Sequence, residues 1–324
     1  MAPALSSPTL IERLADGAWH RGPALAEALG VSRAAISARV AELRELGLVV
    51  HSVAGRGYRL AEPIELLAED AVRDALGEAG ARLDGLSIHE RIDSTNAELA
   101  RRGGPGMQAC LAEYQSQGRG RASRPWASPF GANLYVSLAA DVASTRAPLG
   151  ALSLAVGVCV VEALRDLGAQ DLALKWPNDI WAGGDKLGGI LIEHRGELGA
   201  RARLIVGLGL NVAMNRTQAE SIDQPWTRLA DHMSSLPSRN RLAAAMLAAL
   251  IRALDGFEAQ GFEMFRARWQ AFDGVRDKPV RVIESQGERV GIARGIAADG
   301  ALQVEFENGI QPVYSGDVSL RLAP

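Results

Sequence analysis

Cysteine is scarce in this chain, with two in 324 residues. Cys110 and Cys159 lie inside apolar runs and far apart, a pattern that excludes a disulfide framework and predicts buried free thiols in a reducing compartment. Long apolar runs are missing too. The greasiest stretch, 147–161, is broken by Pro148, Gly150, Ser153 and Gly157 and falls short of the roughly 20 residues that a membrane span needs. The start has neither a basic cluster nor an unbroken apolar core, so no secretory signal and a cytoplasmic location are expected, with no membrane partner. Charge of one sign is also lacking. A net charge of -3 and a pI near 6.0 exclude a surface that is wholly a nucleic-acid footprint, so any such contact must be local. The P-loop string, in which Gly is followed by Gly-Lys-Ser or Gly-Lys-Thr, is absent, and a nucleoside triphosphate would have to be held another way.

What is present is a 48% hydrophobic composition, ample for two or three domain cores. Residues 10–14 begin an amphipathic helix, and 23–29 form a second that stops at Gly30. Ser32 caps a third, in which Ile36, Val40 and Leu43 recur at helical spacing. Two short strands around Gly55-Arg56-Gly57 would make a wing. The pattern predicts a winged helix-turn-helix over residues 1–63. On DNA, Ser32, Arg33, Ser37 and Arg39 would face bases or phosphates and Arg56 a backbone. A protein-contact module is the opposing reading, because the first 62 residues hold seven Arg against six acids, a net of +1.

Glu62-Pro63 breaks the apolar period and predicts a linker into a second domain, 64–273. There 70–76 reads as helix, 86–89 as strand, and 96–102 as a helix that Ser94 and Thr95 would cap. The strand at 110–114 carries the strip Gln115-Ser116-Gln117-Gly118-Arg119-Gly120-Arg121-Ala122-Ser123-Arg124-Pro125-Trp126. Guanidinium forks pair bidentately with phosphate oxygens, and glycines admit backbone N–H groups to an anion, so the strip suits a phosphate; a surface loop or an RNA-binding tail would look the same. Further strands at 133–138, 172–176, 187–193 and 203–212, the last two divided by a turn at Gly196 to Gly199, follow one another with few helices between them; one helix lies at 149–164, and two more at 246–254 and 257–269 close the domain. They predict an α+β fold whose sheet is mixed or antiparallel, with helices on one face. Lys175, Asn178 and Asp179 stand where a strand breaks at Pro177, and Lys186 enters a strand among glycines, where a lysine is ordinarily solvated. From 274 to 324, short runs separated by Gly287, Asp299-Gly300 and Asn308-Gly309 predict a small β-barrel.

Five strings carry a resemblance: Asp93-Ser94-Thr95-Asn96, Gly118 to Trp126, Lys175-Trp176-Pro177-Asn178-Asp179, Lys186-Leu187-Gly188-Gly189-Ile190 and Gly207-Leu208-Gly209-Leu210-Asn211. In this order the chain resembles, over nearly its whole length, the bacterial biotin protein ligases of the bifunctional, repressor-type class. The resemblance implies activation of biotin by ATP, with Mg²⁺, to biotinyl-5'-AMP, and its transfer to one lysine of a biotin carboxyl carrier domain. It also implies an SH3-like C-terminal domain, operator DNA as a partner and a homodimer promoted by ligand. On residues it implies Lys186, Arg119 and Arg121 as fixed cations, with Asp179 in the catalytic set. Ser94, Thr95, Asn96, Gln115, Gly118, Arg119, Gly120, Arg121, Lys186, Gly188 and Gly189 would surround biotin. Arg121, Arg124, Trp126, Lys175, Asn178, Asn211 and Trp226 would surround the nucleotide, Trp226 by stacking on adenine, and Asn178 and Asp179 are candidate magnesium ligands. Lipoate-protein ligases run the same chemistry, but carry an arginine and triple-glycine string that is absent here. The same strings would also suit a ligase without repressor activity, or a metabolite sensor built on a degenerate ligase domain.

Overall fold

The computed structural model describes residues 9–142, 149–195, 202–284, 287–315 and 319–322. The N-terminal unit contains α1 (Leu10–Leu14), α2 (Gly22–Ala28), α3 (Arg33–Glu45) and a hairpin of β1 (Val50–Val53) and β2 (Gly57–Leu60). Thr9 caps α1 in a reciprocal box with Glu12, and the Ser32 hydroxyl accepts from Ala35 N at 3.1 Å to start α3. Ile36, Val40 and Leu43 are buried as their spacing predicts, while Arg33, Ser37 and Arg39 are exposed. The chain just after the linker expected at Glu62-Pro63 is tied to both units. Ile64 N donates to Ala15 O at 2.9 Å on one side, and Leu67 N donates to Glu113 Oε1 at 2.5 Å on the other. Phe130, 1% exposed and far along the chain, is buried within the apolar core of the winged unit.

The central part holds α4 (Glu69–Leu76), β3 (Gly85–Ile92), α5 (Thr95–Arg102), β4 (Gln108–Gln115), β5 (Leu134–Val142), α6 (Leu149–Asp166), β6 (Leu172–Lys175), β7 (Asp179–Ala182), β8 (Asp185–Arg195), β9 (Ala202–Leu210), α7 (Arg239–Gln260) and α8 (Glu263–Ala271). Seven strands pair in the order β3-β4-β5-β9-β8-β7-β6, antiparallel except for the parallel β3-β4 pair, so the sheet is mixed. Side chains alternate across a strand. One face, with Leu111, Val136, Leu138, Val206 and Leu208, packs against α6 and α7. The opposite face, with Cys110, Ala139 and Ile205, receives Leu99 of α5. The expectation of helices on one face is therefore corrected: α5 covers the second face, because the residues between the core positions are small or apolar there.

Two boundaries also differ. The helices expected at 246–254 and 257–269 are α7, which runs unbroken from Arg239 to Gln260, and the shorter α8. Asp255-Gly256 reads as a stop, yet Gly256 is interior. A Cβ there would meet Phe265 Cζ at 2.9 Å, so the glycine makes room for α8, and α7 ends at Gly261 with φ +70°. The turn expected at Gly196 to Gly199 lies outside the described residues. At the C-terminus, β10 (Pro279–Glu284), β11 (Gly287–Ile296), β12 (Leu302–Phe306), β13 (Gly309–Val313) and β14 (Ser319–Leu322) form one five-stranded antiparallel sheet in the order β13-β12-β11-β10-β14. Phe306 pairs with Gly309, which places the two-residue turn on Glu307-Asn308, one residue before the expected Asn308-Gly309. Trp176 fastens this sheet to the centre by donating from Nε1 to Gly300 O at 3.1 Å.

Both cysteines are buried and unbridged. Burial pushes the Cys110 thiol up to about 12, and that of Cys159 upward. At pH 8 the Cys110 thiol therefore stays protonated and unreactive. A disulfide-exchange reagent should titrate close to zero thiols in the native chain and two after denaturation. Rapid native reaction would contradict this packing.

Candidate functional site

The helix start at α5 opens the site. Asp93 pairs with Arg101, whose guanidinium holds that carboxyl down at about 2, and Ser94 Oγ accepts from Ala97 N at 3.4 Å as the cap. Thr95 and Asn96 turn inward; both are buried, 5% and 4% exposed. From there a run of polar side chains crosses the second sheet face. Gln115 Oε1 accepts from Thr95 N at 2.9 Å and from Thr95 Oγ1 at 3.1 Å, while its Nε2 donates to Ser128 Oγ at 3.1 Å. Ser137 Oγ lies 2.7 Å from Thr95 Oγ1 and 2.6 Å from Asn96 Oδ1, so its one proton serves one acceptor at a time. Asn96 Nδ2 donates to Glu193 Oε2 at 2.7 Å, and Arg119 Nη2 donates to Glu193 Oε1 at 3.0 Å. Buried polar groups joined end to end hold one another's orientation.

Glycines give this run its floor. On β9 a Cβ at Gly207 would sit 2.3 Å from Asn96 Oδ1, and one at Gly209 would sit 2.5 Å from Trp126 Cε2. Gly189 faces the same indole, whereas Gly188 points to the core, beside Leu210 and Ile180. Trp126 therefore lies flat on the strands, next to the polar run, and its buried indole N–H has no acceptor among the described residues. Gly118 is a packing position as well: a Cβ there would stand 2.5 Å from Ser128 Oγ and 2.8 Å from Trp126 O. Gly120 faces only Arg124 O, at 3.8 Å. Between the arginines, Ala122 and Ser123 hold φ of +51° and +56°, left-handed values that side-chain-bearing residues rarely adopt. The guanidinium of Arg121 donates to Ser315 O, just past β13 of the C-terminal sheet, and Arg124 is exposed.

Across the Trp126 ring stands a charged cluster. Lys186 Nζ lies 5.6 Å from the ring centroid and 2.8 Å from Asp179 Oδ1, with both side chains mostly buried, 17% and 15% exposed. Lys186 is thus not the solvated lysine of its ordinary setting. Lys175 pairs with Asp179 across β6 and β7, and its Nζ lies 5.0 Å from the Trp181 centroid. Burial pulls the Lys175 ammonium below its usual range, Asp179 opposes this, and Lys186, Arg321 and Arg124 add to it. Asn178 Nδ2 donates to Ile190 O at 2.9 Å, which leaves its carbonyl oxygen for another partner. Asn211, 3% exposed, spends its amide on the carbonyls of Thr227, at 3.1 Å, and Lys186, at 3.4 Å. It thereby anchors the loop of Trp226, which forms a bridge with Lys186.

The wing is separate from this centre. There Arg56 and Arg59 stack on Trp19, at 4.7 Å and 5.2 Å from the ring centroid.

These sites coincide with three matches to known families. Residues 9–59 match an HTH domain, residues 88–211 the biotin/lipoate A/B protein ligase family, and residues 277–321 the biotin protein ligase C-terminal domain. The chain is 42% identical over 317 residues, 97% of each protein, to a bifunctional ligase/repressor BirA of Salmonella typhimurium. The chain belongs to the BirA family of bifunctional ligase/repressors.

Other members and neighbours agree. A biotin--[acetyl-CoA-carboxylase] ligase of Mycobacterium tuberculosis is 34% identical, covering 80% of this chain and 97% of its own. The solved biotin protein ligase of Aquifex aeolicus, in complex with biotin and ATP, superposes with a TM-score of 0.66 at 28% identity, covering 74% of this chain and 100% of that one. Within this BirA family member, the structure brings Thr95, Asn96, Gln115, Arg119, Trp126 and Lys186 onto one sheet face. It adds Ser128, Ser137 and Glu193, which lie in strings that carry no signature and are joined to the others only by the fold.

Proposed function

We propose that this protein activates biotin with ATP and transfers it from biotinyl-5'-AMP to one lysine of a biotin carboxyl carrier domain, in the cytoplasm. The observation that carries the reading is the polar run from Ser128 to Arg119, which meets Lys186 across the Trp126 ring. A ureido ring both donates and accepts, and Thr95, Asn96 and Gln115 offer hydroxyl and amide groups of both kinds. The apolar remainder of biotin would lie along Trp126, and its carboxylate would reach Lys186 and Arg119.

In the first step the carboxylate attacks the α-phosphorus of ATP, an acyl phosphate bond forms and pyrophosphate leaves. Lys186 and Arg121 would hold the charge that builds on the phosphate oxygens, and Lys175, Arg124, Asn211 and Trp226 would border the nucleotide. Asn178 and Asp179 supply oxygen donors that fit a magnesium keeping most of its waters, and the ion would neutralise charge on the leaving pyrophosphate. In the second step the acceptor amine attacks the acyl carbon, AMP leaves, and the amine's proton is lost. Asp179, paired with Lys186, would orient that amine.

The N-terminal unit would bind operator DNA through α3, with Ser32, Arg33, Ser37 and Arg39, and would set Arg56 over the backbone. A ligand-promoted homodimer would carry two such units to a two-fold site. We divide the chain at 63 and 273 into reader, ligase and C-terminal domains.

The test incubates the full chain with Mg-ATP, a carrier domain and either biotin or lipoate, and weighs the carrier. A mass gain of one biotin is expected, and none with lipoate. No biotin-dependent gain, or a gain with lipoate alone, overturns the reading. In parallel, sedimentation with biotin and ATP should show movement from monomer towards dimer; its absence, with ligation intact, removes the repressor half.

A further inference from the structure

Glu193 does something none of the five motifs suggests. It lies on β8, outside those strings, and its two carboxylate oxygens serve two different partners: Oε2 takes Asn96 Nδ2 at 2.7 Å and Oε1 takes Arg119 Nη2 at 3.0 Å. Asn96 is itself fixed by Ser137 and by its seat on Gly207, so the oxygen that holds it is immobile. Arg119 is different. Its side chain is 43% exposed, comes from a loop, and among the described residues has Glu193 as its ion-pair partner.

We propose that Glu193 is a positioning residue for biotin activation, acting through Arg119. One oxygen is locked to the Asn96 end of the ring cradle, and the other therefore offers Arg119 a fixed point against which its planar fork is set. A fork held on one edge keeps its remaining N–H groups directed at whatever lies beyond, where the proposed function puts the biotin carboxylate. The placement of that cation is thus tied to the cradle by a single carboxylate. The inference rests on the proposed function.

Three substitutions separate the two bonds. Glu193→Gln keeps an oxygen for Asn96 but loses the charge that holds Arg119. Its kcat for biotin-dependent ATP–pyrophosphate exchange should fall about tenfold, a modest charge-assisted loss for a pair this exposed, while KM for biotin stays within about twofold. Glu193→Ala frees Asn96 too, so KM for biotin should rise as well. In an Arg119→Met background, Glu193→Gln should add little, since effects that pass through one partner do not add.

Wild-type exchange is the control. If wild type shows none, the functional reading fails, and the role of Glu193 falls with it. If wild type exchanges and Glu193→Gln matches its kcat, or if Glu193→Gln costs as much without Arg119 as with it, the positioning role is overturned. Melting temperatures close to wild type would show that folding is intact; should Glu193→Ala fold poorly, the Gln variant and the double variant still decide.

Discussion

Replacing Lys186 with Met should lower biotin-dependent ATP–pyrophosphate exchange by about a hundred- to a thousandfold, the usual loss when one preorganised charge donor is removed from a reacting phosphoryl or acyl group. Two observations set this scale. Lys186 is mostly buried, and it stands between Asp179 and the Trp126 ring, where low solvent access strengthens its field. Met keeps the unbranched shape and the contact with the indole, so packing is nearly preserved. Transfer from chemically made biotinyl-5'-AMP to the carrier should suffer less, because the acid is already activated. Exchange close to wild type would remove Lys186 from the chemistry.

The largest structural effect should come from Arg239. Its Nη1 lies 2.7 Å from Glu113 Oε2, and their side chains are 13% and 4% exposed. Arg239 also donates to Glu65 O at 2.6 Å and to Asn133 O at 3.1 Å. Arg239→Met would leave the Glu113 carboxylate buried without its counter-charge, at a cost of about 3 to 5 kcal/mol. The urea midpoint should fall accordingly, and Glu113→Gln added to Arg239→Met should recover part of the loss. An unchanged midpoint in the single variant would show that the pair contributes nothing.

Much of this is legible in the sequence, for identifiable reasons. Spacing places Ile36, Val40 and Leu43 on a buried face, Ser32 and Ser94 announce helix starts, and Lys186 falls beside its glycines. The motif strings mark Thr95, Arg119 and Lys186, and Gln115 heads the strip that runs into one of them, because a ligand that approaches backbone needs glycine and a phosphate needs cations. What stays hidden depends on distance along the chain. Ser137 meets Asn96 across 41 residues, Glu193 meets Asn96 across 97, and Arg239 reaches the carbonyl of Glu65 across 174, so no local pattern records them. β7 escapes a reading by pattern because a strand of four residues, between Asn178 and the Gly183-Gly184 turn, gives too little alternation. Gly256 misleads for the opposite reason: a glycine chosen for helix–helix contact looks like a glycine chosen to stop a helix.

Phe130 sits in the core of the winged unit, while two residues earlier Ser128 accepts from Gln115 in the proposed ligand cradle. Ile64 and Leu67 add hydrogen bonds that tie the same junction to α1 and to β4. If the proposed homodimer forms, this junction would favour one separation and one rotational phase for its two recognition helices. Base pairs added between the half-sites of an operator would be felt by helical turn, with affinity lost at half a turn and largely regained at a whole one.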